Sequence, residues 1–143
     1  MTWTRRVMLK TIGVGAVGCA TPACNGGGEE GNVPPGVGEM CGSDLCVSLR
    51  DNPDLAEIGA LLLFTAQGRK IFVSRVSNTE FRALSAICTH AGCTIGWDGT
   101  AQFNCDCHGS QFSAAGAVLK GPAATPLREF DTTLAGDLLT IAL

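Results

Sequence analysis

Two short stretches carry nearly all of the chemistry this sequence could do. CTHAGC, residues 88–93, offers Cys88, His90 and Cys93, and CDCHGS, residues 105–110, offers Cys105, Cys107 and His108. The chain contains two histidines, and both lie here. Thiolates and imidazoles at close spacing are metal ligands, while cysteine pairs are also disulfide partners, so metal, disulfides or both are implied. A structural zinc site takes four ligands and would leave two of the six donors without a role. The pattern Cys-x-His, fourteen residues, Cys-x2-His instead supplies two sulfurs and two imidazoles from separate segments, in the same order.

The remainder must hold those segments still. Its composition, 45% apolar with 19 glycines and no tyrosine, favours short strands and tight turns over amphipathic helices. At 143 residues there is room for one domain. Strands are predicted at 46–51, 60–66 and 70–76, the last two joined by a hairpin at Gln67-Gly68-Arg69. Further strands are predicted at 81–87, 117–121, 127–131 and 137–143, with Gly136 turning the final hairpin. An all-β domain over 44–143 follows, with both motifs on loops at strand ends, where a rigid sheet can fix side chains.

The first 24 residues read as an address and not as part of that domain. Arg5, Arg6 and Lys10 precede a Gly-rich apolar run from Thr11 to about Ala20, too short for the roughly 20 residues of a membrane-spanning helix. TRRVMLK is similar to a twin-arginine export signal, with Met8 where Phe is usual, a route for proteins exported already folded around a cofactor. The small residues before Cys19 and Cys24 leave two outcomes open, lipidation of a cysteine or ordinary cleavage to a soluble periplasmic protein. Residues 25–43 read as a Gly/Pro-rich linker, which would let a lipid-anchored domain range over a membrane surface. Cys41 and Cys46 flank a turn and are expected to form a local disulfide, since no further ligand lies near to complete a metal site.

Charge narrows the partners. The formal net charge is −3, and removal of the basic N-terminus leaves 7 basic against 13 acidic residues, which argues against nucleic acid.

CTHAGC and CDCHGSQF together resemble the two motif boxes of the Rieske iron-sulfur family, over roughly residues 45–143. The resemblance implies an antiparallel β-sandwich with a small cluster-binding subdomain formed by two loops. It implies a [2Fe-2S] cluster with Cys88 and Cys105 on one iron and His90 and His108 on the other. With two thiolates the oxidised core is neutral, whereas four would leave it at −2. Such clusters therefore span about −150 to +300 mV, against about −400 mV for all-cysteine ones. Cys93 and Cys107 fall where the cytochrome bc type carries a disulfide between its cluster loops, and an exported location would keep it oxidised. Ser110 falls where the family places a hydroxyl donor to a bridging sulfide. Two positions on, the highest-potential members carry a tyrosine, but this chain has Phe112. Asp106 replaces the usual proline. The potential implied is positive but intermediate. GPAATPL, residues 121–127, matches the proline loop that covers the cluster.

No independent catalytic site is evident, so one-electron transfer is the minimum function. Histidine ligands with a second ring nitrogen would couple electron to proton uptake, as acceptance of hydrogen from a quinol requires. The reading favoured is a periplasmic carrier, or the electron-transfer subunit of a larger oxidoreductase such as an arsenite-oxidase-like enzyme. The alternative is the quinol-oxidising iron-sulfur subunit of a cytochrome bc-type complex. A ring-dioxygenase module would need a cytoplasmic chain without the Cys93 and Cys107 pair.

Overall fold

The computed structural model describes residues 33–143. The export-signal reading and the first part of the linker lie outside the described residues.

Three antiparallel four-stranded sheets make up the domain. The outer one is ordered β1 (Glu39–Cys41), β2 (Asp44–Ser48), β12 (Leu138–Ile141), β11 (Thr132–Ala135). The middle one runs β10 (Glu129–Phe130), β5 (Phe81–Ser85), β4 (Arg69–Arg75), β3 (Leu61–Ala66). The third runs β6 (Gly96–Trp97), β7 (Gln102–Cys105), β8 (Ser110–Ser113), β9 (Val118–Lys120). Among the described residues the sole helical piece is a 3-10 turn at Pro53–Ala56.

The middle sheet explains the sequence pattern best, because both of its faces are covered. Leu62, Phe64, Ile71, Val73, Phe81 and Ala83 face one core, shared with Leu45, Val47, Leu139 and Ile141 of the outer sheet. Alternate residues Leu63, Phe72 and Leu84 face a second core, shared with Ile95, Phe103, Phe112, Ala123 and Leu127. Strands buried on both sides read as continuous apolar runs, which is why β3, β4 and β5 were legible. The rings of Phe72 and Phe103 stack at 4.7 Å and join the middle sheet to the third.

The third sheet is where the structure departs from the sequence expectation. Strands β6, β7 and β8 were not predicted, and the second motif is a β-hairpin: Cys105 ends β7 and Ser110 begins β8, paired across the ladder. The alternation is present, with Phe103 and Cys105 buried beside half-buried Gln102 and Asn104. It is hidden because the buried polar-looking positions are a cysteine and a serine. The short strands β1 and β11 were not predicted either.

Residues 33–43, read as the end of a linker, are bonded into the domain. Gly36 donates its amide to the Leu63 carbonyl at 2.8 Å, and Leu63 donates to Pro34 at 3.0 Å. The buried Asn52 side chain accepts from Val37 N at 2.7 Å and donates to the carbonyls of Val37 and Ser48 at 2.7 and 2.9 Å. Cys41 and Cys46 are joined in a disulfide across the β1–β2 hairpin.

The turn between β6 and β7 is set by Asp98, whose Oδ1 accepts the amides of Thr100, Ala101 and Gln102 at 2.8, 2.9 and 3.2 Å. Those amides, Thr100 and Ala101 foremost, hold its carboxyl at about 2 against an ordinary 3.8. A carboxyl more acidic folded than unfolded contributes in full above the unfolded value and loses its contribution as pH falls through the folded one. Asp98→Ala should therefore lower the thermal midpoint at neutral pH, with the gap from the parent protein closing between pH 4 and 2. Calorimetry across that range checks it, and a gap independent of pH would mean the carboxylate is not the stabilising form.

Candidate metal centre

Both motif loops are built on the same local turn. Gly92 N donates to Cys88 O at 3.0 Å, and Gly109 N donates to Cys105 O at 2.8 Å, each closing a cysteine-to-glycine turn of five residues. Gly92 has φ +74° and Gly109 φ +78°, a left-handed conformation that a side chain would strain. Each turn reverses the chain directly after a buried cysteine and lifts the next three residues out of the core. The histidine is the third residue of the first turn and the fourth of the second, so the repeat is not exact in ligand position. These two glycines were not singled out in the sequence; the signal was a glycine four residues after each leading cysteine.

The four cysteines of the motifs divide into two kinds. Cys93 and Cys107 are joined, with Cα atoms 6.6 Å apart, which ties the first loop to the second. Cys88 and Cys105 are unbonded to other sulfurs and are each 2% exposed. The sulfurs of Cys93, Cys105 and Cys107 lie within 4.8 Å of one another, but two of these are consumed by the disulfide and cannot act as thiolates. Cys88 and Cys105 are the pair of motif cysteines left to offer thiolates.

Burial pushes the Cys105 thiol up, and the hydrogen-bonded Cys88 thiol beside it acts in the same direction. The amides of Cys107 and His108, directed at Cys105, oppose that rise. The site thus offers Cys105 two amide donors that favour its thiolate form, the form in which sulfur binds a metal.

His90 and His108 are exposed, one from each loop, with ring centroids 4.9 Å apart and planes at 79°. Sulfur donors face the core and imidazole donors face solvent, from loops that a covalent bond holds together.

Ser110 is fully buried, and its Oγ accepts the Ala123 amide at 3.0 Å. A hydroxyl also carries one proton to donate, and among the described residues no acceptor takes it. A buried donor beside Cys105 in the strand ladder, together with two free thiols and two imidazoles, fits an acceptor with electron-rich sulfur. Phe112, the next inward residue on β8, is fully buried among apolar neighbours and offers no donor. Asp106 is exposed at the outside of the second loop.

The loop at 121–127 closes over the two motifs from a third side. Its Gly121–Pro122 peptide is cis, Ala123 and Leu127 are buried in the second core, and Leu127 N donates to Gly116 O at 2.9 Å. Thr89 Oγ1 of the first motif donates to the Thr125 carbonyl at 2.7 Å.

A family model described as Rieske [2Fe-2S] domain matches residues 47–131. The chain is 33% identical over 152 aligned residues to the cytochrome b6-f complex iron-sulfur subunit of Synechococcus sp. (strain JA-2-3B'a(2-13)), covering 94% of this chain and 84% of that one. It is 45% identical over 60 residues to the corresponding subunit of Gloeobacter violaceus, covering 41% of this chain and 32% of that one. Among solved structures, the plasma membrane Rieske protein of Synechocystis PCC 6803 superposes with a TM-score of 0.54 at 28% identity, covering 67% of this chain and 95% of that one. A chain of a hyperthermophilic respiratory Complex III superposes with a TM-score of 0.53 at 25% identity, covering 66% of this chain and 71% of that one.

The disulfide closes a loop with a sequence separation of 14. A crosslink of that span stabilises by about 3 kcal/mol through loss of unfolded-state freedom. The paired variant Cys93→Ser with Cys107→Ser should lose about that much in a denaturant titration under oxidising conditions. A loss below about 0.5 kcal/mol would mean that the crosslink leaves the unfolded chain nearly unrestricted.

Proposed function

The chain belongs to the Rieske [2Fe-2S] domain family and transfers electrons through a Rieske-type cluster, and from that premise we propose which residues hold the cluster and where the chain works. Cys88 and Cys105 would hold one iron through sulfur, and His90 and His108 would hold the other through a ring nitrogen. The observation that carries this is the division of the cysteines: two are locked in a disulfide, and two are free, buried and hydrogen-bonded to one another.

When bound, the cluster takes up and gives back one electron at a time. The chain's own residues do the rest. The second core excludes water from the sulfur side, and the amides of Cys107 and His108 favour Cys105 as thiolate. The Ser110 hydroxyl, buried on β8, would stabilise added negative charge by donating its proton toward the cluster. His90 and His108, exposed at the tip, keep their second ring nitrogens available to a partner or a proton. The disulfide keeps the two loops from separating as the charge between them changes.

The reading adopted is an exported electron-transfer protein working with redox partner proteins, as a periplasmic carrier or as a subunit of a larger oxidoreductase, delivered by its twin-arginine-like leader. No helix among the described residues is long and apolar enough to cross a membrane. A second reading, the quinol-oxidising subunit of a cytochrome bc-type complex, is favoured by the similarity to a cytochrome b6-f subunit over 94% of the chain. Solubilised membranes separate the two: co-migration with b-type haem supports the subunit, and recovery free of haem supports the carrier.

Anaerobic reconstitution should give about two irons per chain, with an electron paramagnetic resonance signal in the reduced state. Alanine at Cys88, His90, Cys105 or His108 should abolish both, and retention of the signal in any one variant would remove that residue from the ligand set. Ser110→Ala should keep the cluster but lower its midpoint potential. A hydrogen bond to a charged acceptor is worth about 1.5 kcal/mol or more, roughly 60 mV for one electron. Redox titration checks this, and an unchanged potential would mean the hydroxyl serves only Ala123.

A further inference from the structure

The loop at 121–127 is bonded to each motif by a different kind of contact. Ala123 N donates to the buried Ser110 Oγ of the second motif at 3.0 Å. Thr89 Oγ1 of the first motif donates to the Thr125 carbonyl at 2.7 Å. With the Cys93–Cys107 disulfide between the motifs, the three loops form a closed ring of ties. One of those ties ends on the hydroxyl whose proton is unclaimed.

A serine hydroxyl accepts through its lone pairs and donates along one rotatable bond. The Ala123 amide occupies a lone pair, which restricts the rotations left to the O–H and aims its proton away from the covering loop. A displacement of that loop away from Ser110 lengthens this bond and frees the rotor. Thr89 bears on that displacement because it anchors the same loop two residues beyond Ala123. Thr89 is exposed and its hydroxyl reaches no core atom, so its role in this ring is separable from packing.

We propose that Thr89 and the Ala123 amide are positioning groups that set the direction of the Ser110 hydroxyl, so that the covering loop acts as a tuning element for the redox centre. The inference rests on the cluster position given above. It makes the potential responsive to anything that moves residues 121–127, including a partner pressing on the exposed Gly121, Pro122 and Ala124. A docked partner then alters the driving force of the transfer without touching a ligand.

The test is a double-mutant cycle on the holoprotein with Thr89→Val and Ser110→Ala, read as midpoint potential. Thr89→Val should lower the potential when Ser110 is present and leave it unmoved when Ser110 is alanine. Thr89→Ser, which restores the hydroxyl, should return the parent value. On the metal-free protein, hydrogen exchange at the Ala123 amide should speed up in Thr89→Val as well as in Ser110→Ala. Equal shifts in both serine backgrounds, no shift in either, or an unchanged exchange rate in Thr89→Val would each overturn the coupling. Failure of the parent protein to take up iron or show a reduced-state signal would overturn the cluster assignment itself, and the coupling with it.

Discussion

Two free thiols held in an apolar core, with two imidazoles kept at the surface, is the constraint the rest of the structure answers to. A buried thiol behaves as a small apolar group, and burial pushes the Cys105 thiol up. Histidines at the same depth would need polar partners that the second core lacks. The same five-residue turn after Cys88 and after Cys105 resolves this by leaving the cysteine in and turning the next residues out.

That arrangement needs two chain segments in fixed relation, and the middle sheet provides it. Its strands are covered on both faces, so the cluster-side core is continuous with the body of the domain through Leu63, Phe72 and Leu84. The first motif follows directly from β5 of that sheet, while the second is the turn of the β7–β8 hairpin packed upon it. A disulfide and two hydrogen bonds then connect the motif loops and the loop covering them. The motif loops are thus held by strand ladders from below and by crosslinks above.

The residues beside the second motif differ in what they can offer a redox centre. Ser110 supplies a buried donor, whereas Phe112, one inward position along β8, supplies none and is packed on all sides. Asp106, which could disfavour an added electron, sits outside the second loop in water, where its field is screened. Among these residues the serine alone brings a buried hydroxyl, and that hydroxyl is bonded to a loop remote in sequence.

Donor types and spacing belonged to the sequence by itself: Cys-x-His and Cys-x2-His on separate segments, with apolar runs at 60–66, 70–76 and 81–87. Strands β3, β4 and β5 were legible because two buried faces leave no polar alternation to confuse them. The residues alone allowed metal or disulfide at every motif cysteine, and the family resemblance supplied the partition. In the fold Cys93 lies against Cys107 while Cys88 lies against Cys105. The hairpin nature of the second motif was hidden because its inward positions are Cys105 and Ser110, which read as chemistry and not as core. The ties of Thr89 to Thr125 and of Ser110 to Ala123 had no sequence signal at all. They join residues 36 and 13 positions apart, and such contacts are set by how the third sheet stacks on the middle one. Local pattern specifies which groups a chain can offer, but only the stacking of layers brings distant backbone amides and hydroxyls within bonding distance.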